Sequence, residues 1–317
     1  MKLLARIAIL GGALALATPS ARAQQPLEFA YQTSIAGGSL MVTEEHDLWG
    51  VPVRSSGFVS GSDVLQAVLS GSAQAGSMAV TPTITGGQTG DFVIVAIANR
   101  VGHTTAIVVP PNSGLESVAD LKGKTLAVQS GTTTSLAIDQ YVLPHFGMTN
   151  DDLTIINMNM GDMPAALGSG RVDAIASVEP YISIAVQQGL GKRIQSIGDF
   201  DPLPVFIVFR TEFAEQNEDL IVEALRGYYA AVKWIRENPE ETVDIIRSKL
   251  EGLGVALPRE VVDMAWATVD LDVEFSEDEI KAYLSEAAQL LLNSGRIQAV
   301  PDFDRILRLD LARRAME

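Results

Sequence analysis

The chain has 317 residues, a formal net charge of −16 and no cysteine. Its acidity argues against nucleic-acid binding, which depends on clustered Lys and Arg. The absence of cysteine excludes disulfides, thiolate zinc ligands and cysteine nucleophiles. The length is sufficient for two lobes of typical domain size.

Residues 1–23 have the pattern of a secretory signal peptide. Lys2 and Arg6 provide the positive segment, and residues 7–17 form an apolar run. Residues 21–23 match the small-x-small pattern of a signal-peptide cleavage site. The apolar run is shorter than the about 20 residues needed to span a bilayer, which disfavours the alternative of a membrane anchor. No cysteine follows the run, so we expect a cleaved, exported protein without a lipid anchor.

Strands and helices alternate after this segment. Apolar runs predict strands at residues 27–31, 51–54, 92–98 and 105–109, with helices after Gly37 and over residues 62–70. The near-continuous apolar run at 92–98 is typical of a parallel strand buried on both faces. The alternation continues to residue 200 and predicts βαβ units with parallel sheets, an α/β fold.

A weak internal repeat predicts two lobes of similar architecture. Asp63, Ala67, Ser70, Gly71 and Ala75 recur 99 positions later as Asp162, Ala166, Ser169, Gly170 and Ala174. In each copy the Asp is predicted to cap a short helix that Gly ends before a strand. Chance recurrence of small-residue helices is the alternative.

Beyond a strand predicted at 205–209, the chain is predicted to be almost wholly helical. Asn238 followed by Pro239 and two glutamates is a helix start, because Pro fits the first turn and acids favour the positive helix end. Ser276 with Glu279 fits a capping box.

The stretch from Ser117 to Tyr181 contains four connected motifs: DLKGK at 120–124, SGTTTS at 130–135, GDMPAAL with SGRVDA at 161–174, and VEPY at 178–181. This stretch resembles the second lobe of type II periplasmic substrate-binding proteins. The nitrate, sulfonate and taurine group, which serves ABC importers, is the most similar.

The resemblance implies two Rossmann-like lobes joined by a two-strand hinge, with a cleft between them. Lobe 1 is expected at residues 24–105 and 205–317, with the helical C-terminal segment packed on it, and lobe 2 at 106–204. The crossovers are expected near residues 100–106 and 196–205. Closure around a ligand would be absorbed by a few hinge residues.

The function implied by the resemblance is capture of a small anionic or zwitterionic solute in the periplasm. The expected partners are a membrane permease and an ATPase, and the expected state is a monomer with no cofactor and no catalysis. Alternative ligands are pyrimidine precursors or aromatic carboxylates, and a ligand-sensing role is the alternative to transport. An enzyme of the same fold depends on histidine and cysteine, and this chain has no cysteine.

The SGTTTS turn is the strongest local candidate for ligand contact. It follows a predicted strand and opens a helix predicted at 133–146, where hydroxyls and the positive helix end can bind an oxyanion. The resemblance carries the ligand-binding role onto Ser130, Thr132 and Thr133. The alternative is plain capping of the helix.

In the other lobe, the matching turn offers Ser34, Gly37, Gly38 and Ser39 as donors. Members of the group usually have a proline and an aromatic residue around this helix start, which this chain lacks. Four further candidates follow predicted strands or open the repeated helices: Ser60, Ser62, Thr81 and Met163. Met78 is a fifth candidate, and a core role suits it equally.

Glu179 and Tyr181 complete the predicted ligand site. Glu179 either contacts an amine or hydroxyl of the ligand or braces the hinge. Tyr181 could stack on a flat ligand together with Trp49 and Phe58, although core packing is the commoner role of such rings. His46, His103 and His145 are scattered and lack the spacing of a metal site.

Overall fold

The computed structural model describes residues 25–58, 60–272 and 276–317. The predicted signal sequence therefore lies outside the described residues. The strands are β1 (Leu27–Gln32), β2 (Val53–Phe58), β3 (Ala75–Ala79), β4 (Phe92–Arg100), β5 (Thr105–Val109), β6 (Thr125–Val128), β7 (Thr154–Asn157), β8 (Ala174–Val178), β9 (Lys192–Ser196) and β10 (Pro204–Arg210).

The helices surround two sheets. They are α1 (Gly38–Glu45), α2 (Gly61–Ser70), α3 (Val80–Gly87), α4 (Thr133–Ala137), α5 (Leu143–His145), α6 (Met163–Gly168), α7 (Tyr181–Gln187), α8 (Thr211–Gln216), α9 (Glu218–Glu237), α10 (Pro239–Gly252), α11 (Arg259–Trp266), α12 (Glu277–Asn293), α13 (Phe303–Ile306) and α14 (Asp310–Met316). A π-helical segment, Ile138–Val142, joins α4 to α5.

Each sheet has five strands and defines one lobe. The first lobe is the sheet β2-β1-β3-β10-β4 with the helices packed on it, and the second lobe is the sheet β7-β6-β8-β5-β9 with α4 to α7. Two α/β lobes match the predicted fold class. The α2–β3 and α6–β8 units also occupy the predicted repeat positions, and each helix is followed by a glycine with positive φ, Gly71 and Gly170.

The prediction of wholly parallel sheets is wrong. The strands β1, β2 and β3 pair in parallel, as do β6, β7 and β8. However, β10 is antiparallel to β3 and β4, and β5 is antiparallel to β8 and β9. The reason is the chain path: β10 enters the first sheet on its return from the second lobe, so it runs against its neighbours.

The chain passes between the lobes twice, through residues 101–104 and 197–203. The two crossovers are held together by backbone hydrogen bonds, since the Val101 amide donates to the Leu203 carbonyl at 3.0 Å and the Gly102 amide to the Pro202 carbonyl at 2.9 Å. A β-carbon on Gly102 would lie 2.3 Å from the Asp201 carbonyl oxygen. These segments lie where the two-strand hinge is expected.

The C-terminal helices cover the first sheet, and α11 reaches the second lobe. Helix α9 buries residues three or four apart, including Ile221, Leu225, Tyr228 and Ile235, the spacing of an amphipathic helix. The predicted starts are confirmed: α10 begins at Pro239, and the Ser276 and Glu279 side chains form a capping box. Helix α11 packs against α7 of the second lobe.

The contact between α9 and the loop after α1 requires glycine at position 227. A β-carbon there would lie 1.8 Å from the Leu48 carbonyl oxygen. We predict that Gly227→Ala lowers the free energy of unfolding by about 2–3 kcal/mol, because an extra carbon in a packed interior forces backbone shifts. Urea denaturation of the variant and the parent chain measures this loss.

Gly252→Ala is the matched control. Position 252 is also helical, but a β-carbon there meets nothing within 4 Å. Alanine should therefore leave stability unchanged or raise it by up to about 1 kcal/mol, as expected from helix propensity. Equal effects of the two substitutions would contradict the proposed packing constraint.

Candidate functional site

Two threonine hydroxyls join the lobes beyond the carboxyl ends of strands β3 and β6. Thr81 lies in the first turn of α3, after β3, and Thr133 begins α4, after β6. The Thr133 hydroxyl donates a hydrogen bond to the Thr81 hydroxyl, with 3.1 Å between the oxygens. Leu136, one turn further along the second-lobe helix, is buried among first-lobe residues that include Met78. The structure therefore shows the two lobes closed on each other.

The SGTTTS turn has the geometry of a capped helix start. The Thr132 hydroxyl donates to the Gln129 carbonyl at 2.7 Å and accepts from the Ser135 amide at 3.2 Å. The Ser130 amide donates to the Asn157 side-chain oxygen at 2.9 Å, while Ser130 itself is exposed. Thr132 thus has the capping role, and Thr133 directs its hydroxyl to the opposite lobe.

The matching turn of the first lobe is packed rather than open. The Gly37 amide donates to the Ser34 carbonyl at 3.0 Å, and the Gly38 amide donates to the Ile35 carbonyl. Ser39 is fully buried, and its hydroxyl lies 3.0 Å from that of Tyr228. The donors predicted at Gly37, Gly38 and Ser39 are therefore occupied inside the protein. Among the four candidates of this turn, Ser34 is the one that is partly exposed.

The repeated helix starts also differ from the prediction in detail. Helix α2 begins at Gly61 with Ser60 as its cap, and the Ser60 hydroxyl donates to the Asp63 carboxylate at 2.8 Å. The prediction of Asp63 as the cap is wrong, because the cap is Ser60, three residues earlier. Asp162 occupies the cap position of α6 without a side-chain capping bond. Ser62 is exposed on α2.

Both candidate methionines are core residues in this closed arrangement. Met78 is 1% exposed and packs in the apolar cluster of the first lobe. Met163 is 0% exposed and packs beneath α6 with Ala106, Val108 and Ala127. Sequence alone leaves both roles open, because a buried methionine fills a core and a cleft wall equally well.

Glu179 is braced inside the second lobe. Its carboxylate pairs with the Arg193 guanidinium and accepts the Ser183 amide at 3.0 Å, and its side chain is 1% exposed. Burial raises the pKa of the Glu179 carboxyl, while Arg193 and the Ser183 amide offset part of this rise. Its own amide donates to the carbonyl of Thr104, the last residue of the first crossover, as the bracing alternative expects.

The aromatic candidates separate into one surface ring and two packed ones. Tyr181 is partly exposed, and its ring would lie 3.8 Å from a β-carbon on Gly161. Trp49 is buried against Phe29, with 5.1 Å between ring centroids. Phe58 packs against the first-lobe core. The core alternative is therefore correct for Trp49.

The sequence prediction missed the residues that hold the first-lobe turn. The Asn99 amide donates to the Ala36 carbonyl at 2.7 Å, and Asn99 is 1% exposed. The Tyr228 hydroxyl donates to the Ala98 carbonyl at 2.6 Å. Trp266 approaches Gly38 so closely that a β-carbon there would lie 2.6 Å from its ring. The available signal in the sequence was Asn99, a polar residue directly after the apolar run predicted at residues 92–98.

A cavity of about 420 Å³ lies beside the crossovers, away from the threonine pair. It is lined by His103, Arg193, Ser196, Ala267, Thr268, Val269 and Asp270. The Arg193 charge is already paired with Glu179, and Asp270 is paired with Arg100. The other histidines lie elsewhere: His46 contacts Trp234, and His145 contacts Phe200. Within the described ranges, we find no helix long and apolar enough to cross a membrane.

Residues 55–242 match the NMT1/THI5-like family, and this match spans more than half of the chain. The protein therefore belongs to that family. A putative aliphatic sulfonates-binding protein of Bacillus subtilis strain 168 is 26% identical over 271 residues, 84% of this chain and 80% of the relative. The taurine-binding periplasmic protein of Escherichia coli K12 is 24% identical over 264 residues, 79% of this chain and 80% of the relative.

Solved structures show the same fold. The periplasmic aliphatic sulphonate binding protein SsuA from Escherichia coli superposes with a TM-score of 0.80 at 24% identity, covering 89% of this chain and 91% of that one. The desulfurization enzyme DSZB superposes with a TM-score of 0.65 at 14% identity, covering 91% and 98%. The chain thus has the periplasmic binding-protein fold, which an enzyme also uses, so the fold by itself does not define the activity.

The Arg193 cation is expected to stabilise the protein by pairing with the buried Glu179 carboxylate. Arg193→Met should lower the free energy of unfolding near neutral pH by about 3–5 kcal/mol, because it leaves a buried carboxylate without its cation. The loss should shrink as the pH falls, since protonation removes the buried charge. Adding Glu179→Gln to Arg193→Met should recover most of the loss. Chemical denaturation near pH 7 and pH 5 measures these differences.

Lys192→Met is the matched control, because Lys192 precedes Arg193 on β9 and pairs with the exposed Glu116. An exposed pair of this kind contributes about 0–1 kcal/mol. If Arg193→Met were no more destabilising than Lys192→Met, the bracing role of the buried pair would be wrong.

Proposed function

We propose that this chain is the solute-binding component of an ABC uptake system and that it captures a small sulfonate or taurine-like ligand between its lobes. The observation that carries the proposal is the hydrogen bond between Thr81 and Thr133, which places hydroxyls of both lobes at one point. The sulfonate- and taurine-binding relatives, which match most of the chain, support the ligand class.

The chemistry of this point suits a strongly acidic anion. A sulfonate stays ionised and accepts several hydrogen bonds, so hydroxyls and amides can bind it without a cation. Thr81 and Thr133 are both partly exposed, and Ser34, Ser60, Ser130 and Tyr181 remain surface candidates for further contacts. The Glu179 charge does not repel such a ligand strongly, because Arg193 neutralises it.

Capture by closure follows from the two-lobed arrangement. A ligand that contacts both threonines is bound more tightly by the closed form than by the open form, so it shifts the population toward closure. The closed form would then deliver the ligand to a membrane permease powered by an ATPase. Export to the periplasm, with cleavage after Ala23, places the protein on the side where the ligand arrives.

A thermal-shift and calorimetry panel on residues 24–317 tests the ligand class. The panel contains taurine, ethanesulfonate, nitrate, bicarbonate, pyrimidines and aromatic carboxylates. Taurine or ethanesulfonate should stabilise the protein saturably, by about 2.7 kcal/mol at a concentration 100 times the dissociation constant. Stabilisation by pyrimidines or aromatic carboxylates alone would overturn the sulfonate assignment.

The site itself is tested by Thr132→Ala combined with Thr133→Ala. We expect loss of measurable binding with the fold retained, because a helix cap contributes only about 0.5–2 kcal/mol to stability. Thr149→Ala is the control, since Thr149 caps a short turn of the second lobe in a capping box with Asp152. Unchanged affinity in the double variant, measured by calorimetry, would show that the ligand binds elsewhere.

A further inference from the structure

The second crossover buries a carboxylate at the junction of the lobes. Asp201 is 4% exposed, and its carboxylate accepts the Leu203 amide at 3.0 Å and the Tyr283 hydroxyl at 2.7 Å. Tyr283 belongs to α12, which packs on α3 of the first lobe. Asp201 therefore connects a hinge segment to a first-lobe helix through one hydrogen bond.

The charge of Asp201 is not neutralised. Among the residues that the structure describes, Asp201 has no ion pair, and the groups facing it are Tyr283, Glu286 and Tyr141. His145 lies nearby against Phe200, with 4.8 Å between ring centroids. Burial and the Glu286 charge raise the pKa of the Asp201 carboxyl, and its two hydrogen bonds offset only part of the rise. A buried charge without a cation is costly.

The groups around Asp201 come from both lobes. Tyr283 and Glu286 are on α12 of the first lobe, whereas Tyr141 lies in the π-helical segment of the second lobe. Burial raises the pKa of Tyr141, and the Asp201 and Glu286 charges raise it further, so the carboxylate and this ring interact across the junction. Separation of the lobes would move Tyr141 away from α12 and admit water to the carboxylate.

We propose that Asp201 is a positioning residue that keeps the ligand-free protein open, because its buried charge destabilises the closed arrangement. Ligand contacts between the lobes then offset this penalty. The proposal concerns the balance between open and closed forms, and only its effect on affinity rests on the proposed function.

The sign of the pH dependence follows from burial. The pKa of Asp201 is raised in the closed form, and hydration in the open form returns it toward its ordinary value. Closure therefore takes up protons at Asp201, so lowering the pH through the acidic range favours the closed form. Asp201→Asn, which removes the charge and retains an oxygen that accepts a hydrogen bond, should be as closed near neutral pH as the wild type is at low pH.

The distance between the lobes in ligand-free protein gives a direct test. The chain has no cysteine, so Gln66→Cys and Ala165→Cys, at exposed positions on α2 and α6, provide a unique spin-label pair. Pulsed electron paramagnetic resonance measures the label distance near pH 7.5 and near pH 4.5. We expect the wild-type distribution to move toward the short distance at low pH, and Asp201→Asn to show the short distance at both values.

Asp199→Asn is the matched control. Asp199 lies in the same crossover and carries the same charge, but it is exposed and accepts the Gln195 side-chain amide at 2.6 Å. Asp199→Asn should therefore behave like the wild type at both pH values, because it removes a charge that is already exposed to solvent. Tyr283→Phe, which removes a donor to the buried carboxylate, should shift the distribution toward the long distance.

Calorimetric titration measures the affinity of the wild type and the variants for ethanesulfonate, which stays ionised over this pH range. Near pH 7.5, the Asp201→Asn variant should bind ethanesulfonate more tightly than the wild type does. The gain in affinity should be up to about tenfold for each unit by which the Asp201 pKa in the closed form exceeds that in the open form. At low pH, the two affinities should be equal. A distance distribution in Asp201→Asn equal to that of the wild type at both pH values would overturn the proposal. If no variant binds ethanesulfonate, the proposed ligand class is wrong, and the distances still decide the role of Asp201.

Discussion

The architecture depends on two short backbone segments that hydrogen-bond to each other where the chain passes between the lobes. Residues 101–104 and 197–203 are the covalent connections between the two sheets. The segments lie so close together that a β-carbon at position 102 would be 2.3 Å from the Asp201 carbonyl oxygen, so this position requires glycine. A change of a few dihedral angles in such connections can move one lobe relative to the other.

The threonine pair and the buried carboxylate act on this hinge in opposite directions. The Thr81–Thr133 hydrogen bond is formed only when the lobes meet, so it stabilises the closed form modestly. The Asp201 charge loses hydration in the same movement, so it destabilises the closed form. A binding protein needs such a balance, because a ligand can change the population only where the two forms differ little in free energy.

The sequence predicted best where a local rule decides the structure. Pro239 and the Ser276–Glu279 box mark helix starts through capping, and the glycines after α2 and α6 end helices by adopting positive φ. The SGTTTS turn belongs to this class, since its capping geometry depends on neighbouring residues alone. The two-lobe fold was accessible through the motifs at 120–181 because they resemble a known group.

Prediction failed where the structure around a residue is determined by parts of the chain that are distant in sequence. Gly38 is packed by Ile246 and Trp266, which lie more than 200 positions away in sequence, so no local pattern could show that its turn is closed. The reversed direction of β10 is likewise set by the return of the chain from the second lobe. The same holds for Asp201, which is one of many acidic residues in the sequence, because its environment depends on burial at the junction and on Tyr283 and Glu286 of α12.

The C-terminal helices therefore do more than complete the first lobe. Helix α11 packs on α7 at one side of the junction, and α12 supplies Tyr283 to the crossover at another. Because α11 contacts the opposite lobe and α12 contacts the hinge, the free energy of closure depends on how these C-terminal helices pack. A substitution on α12 could thus change ligand affinity without contacting the ligand, because it acts on the free-energy difference between the open and closed forms.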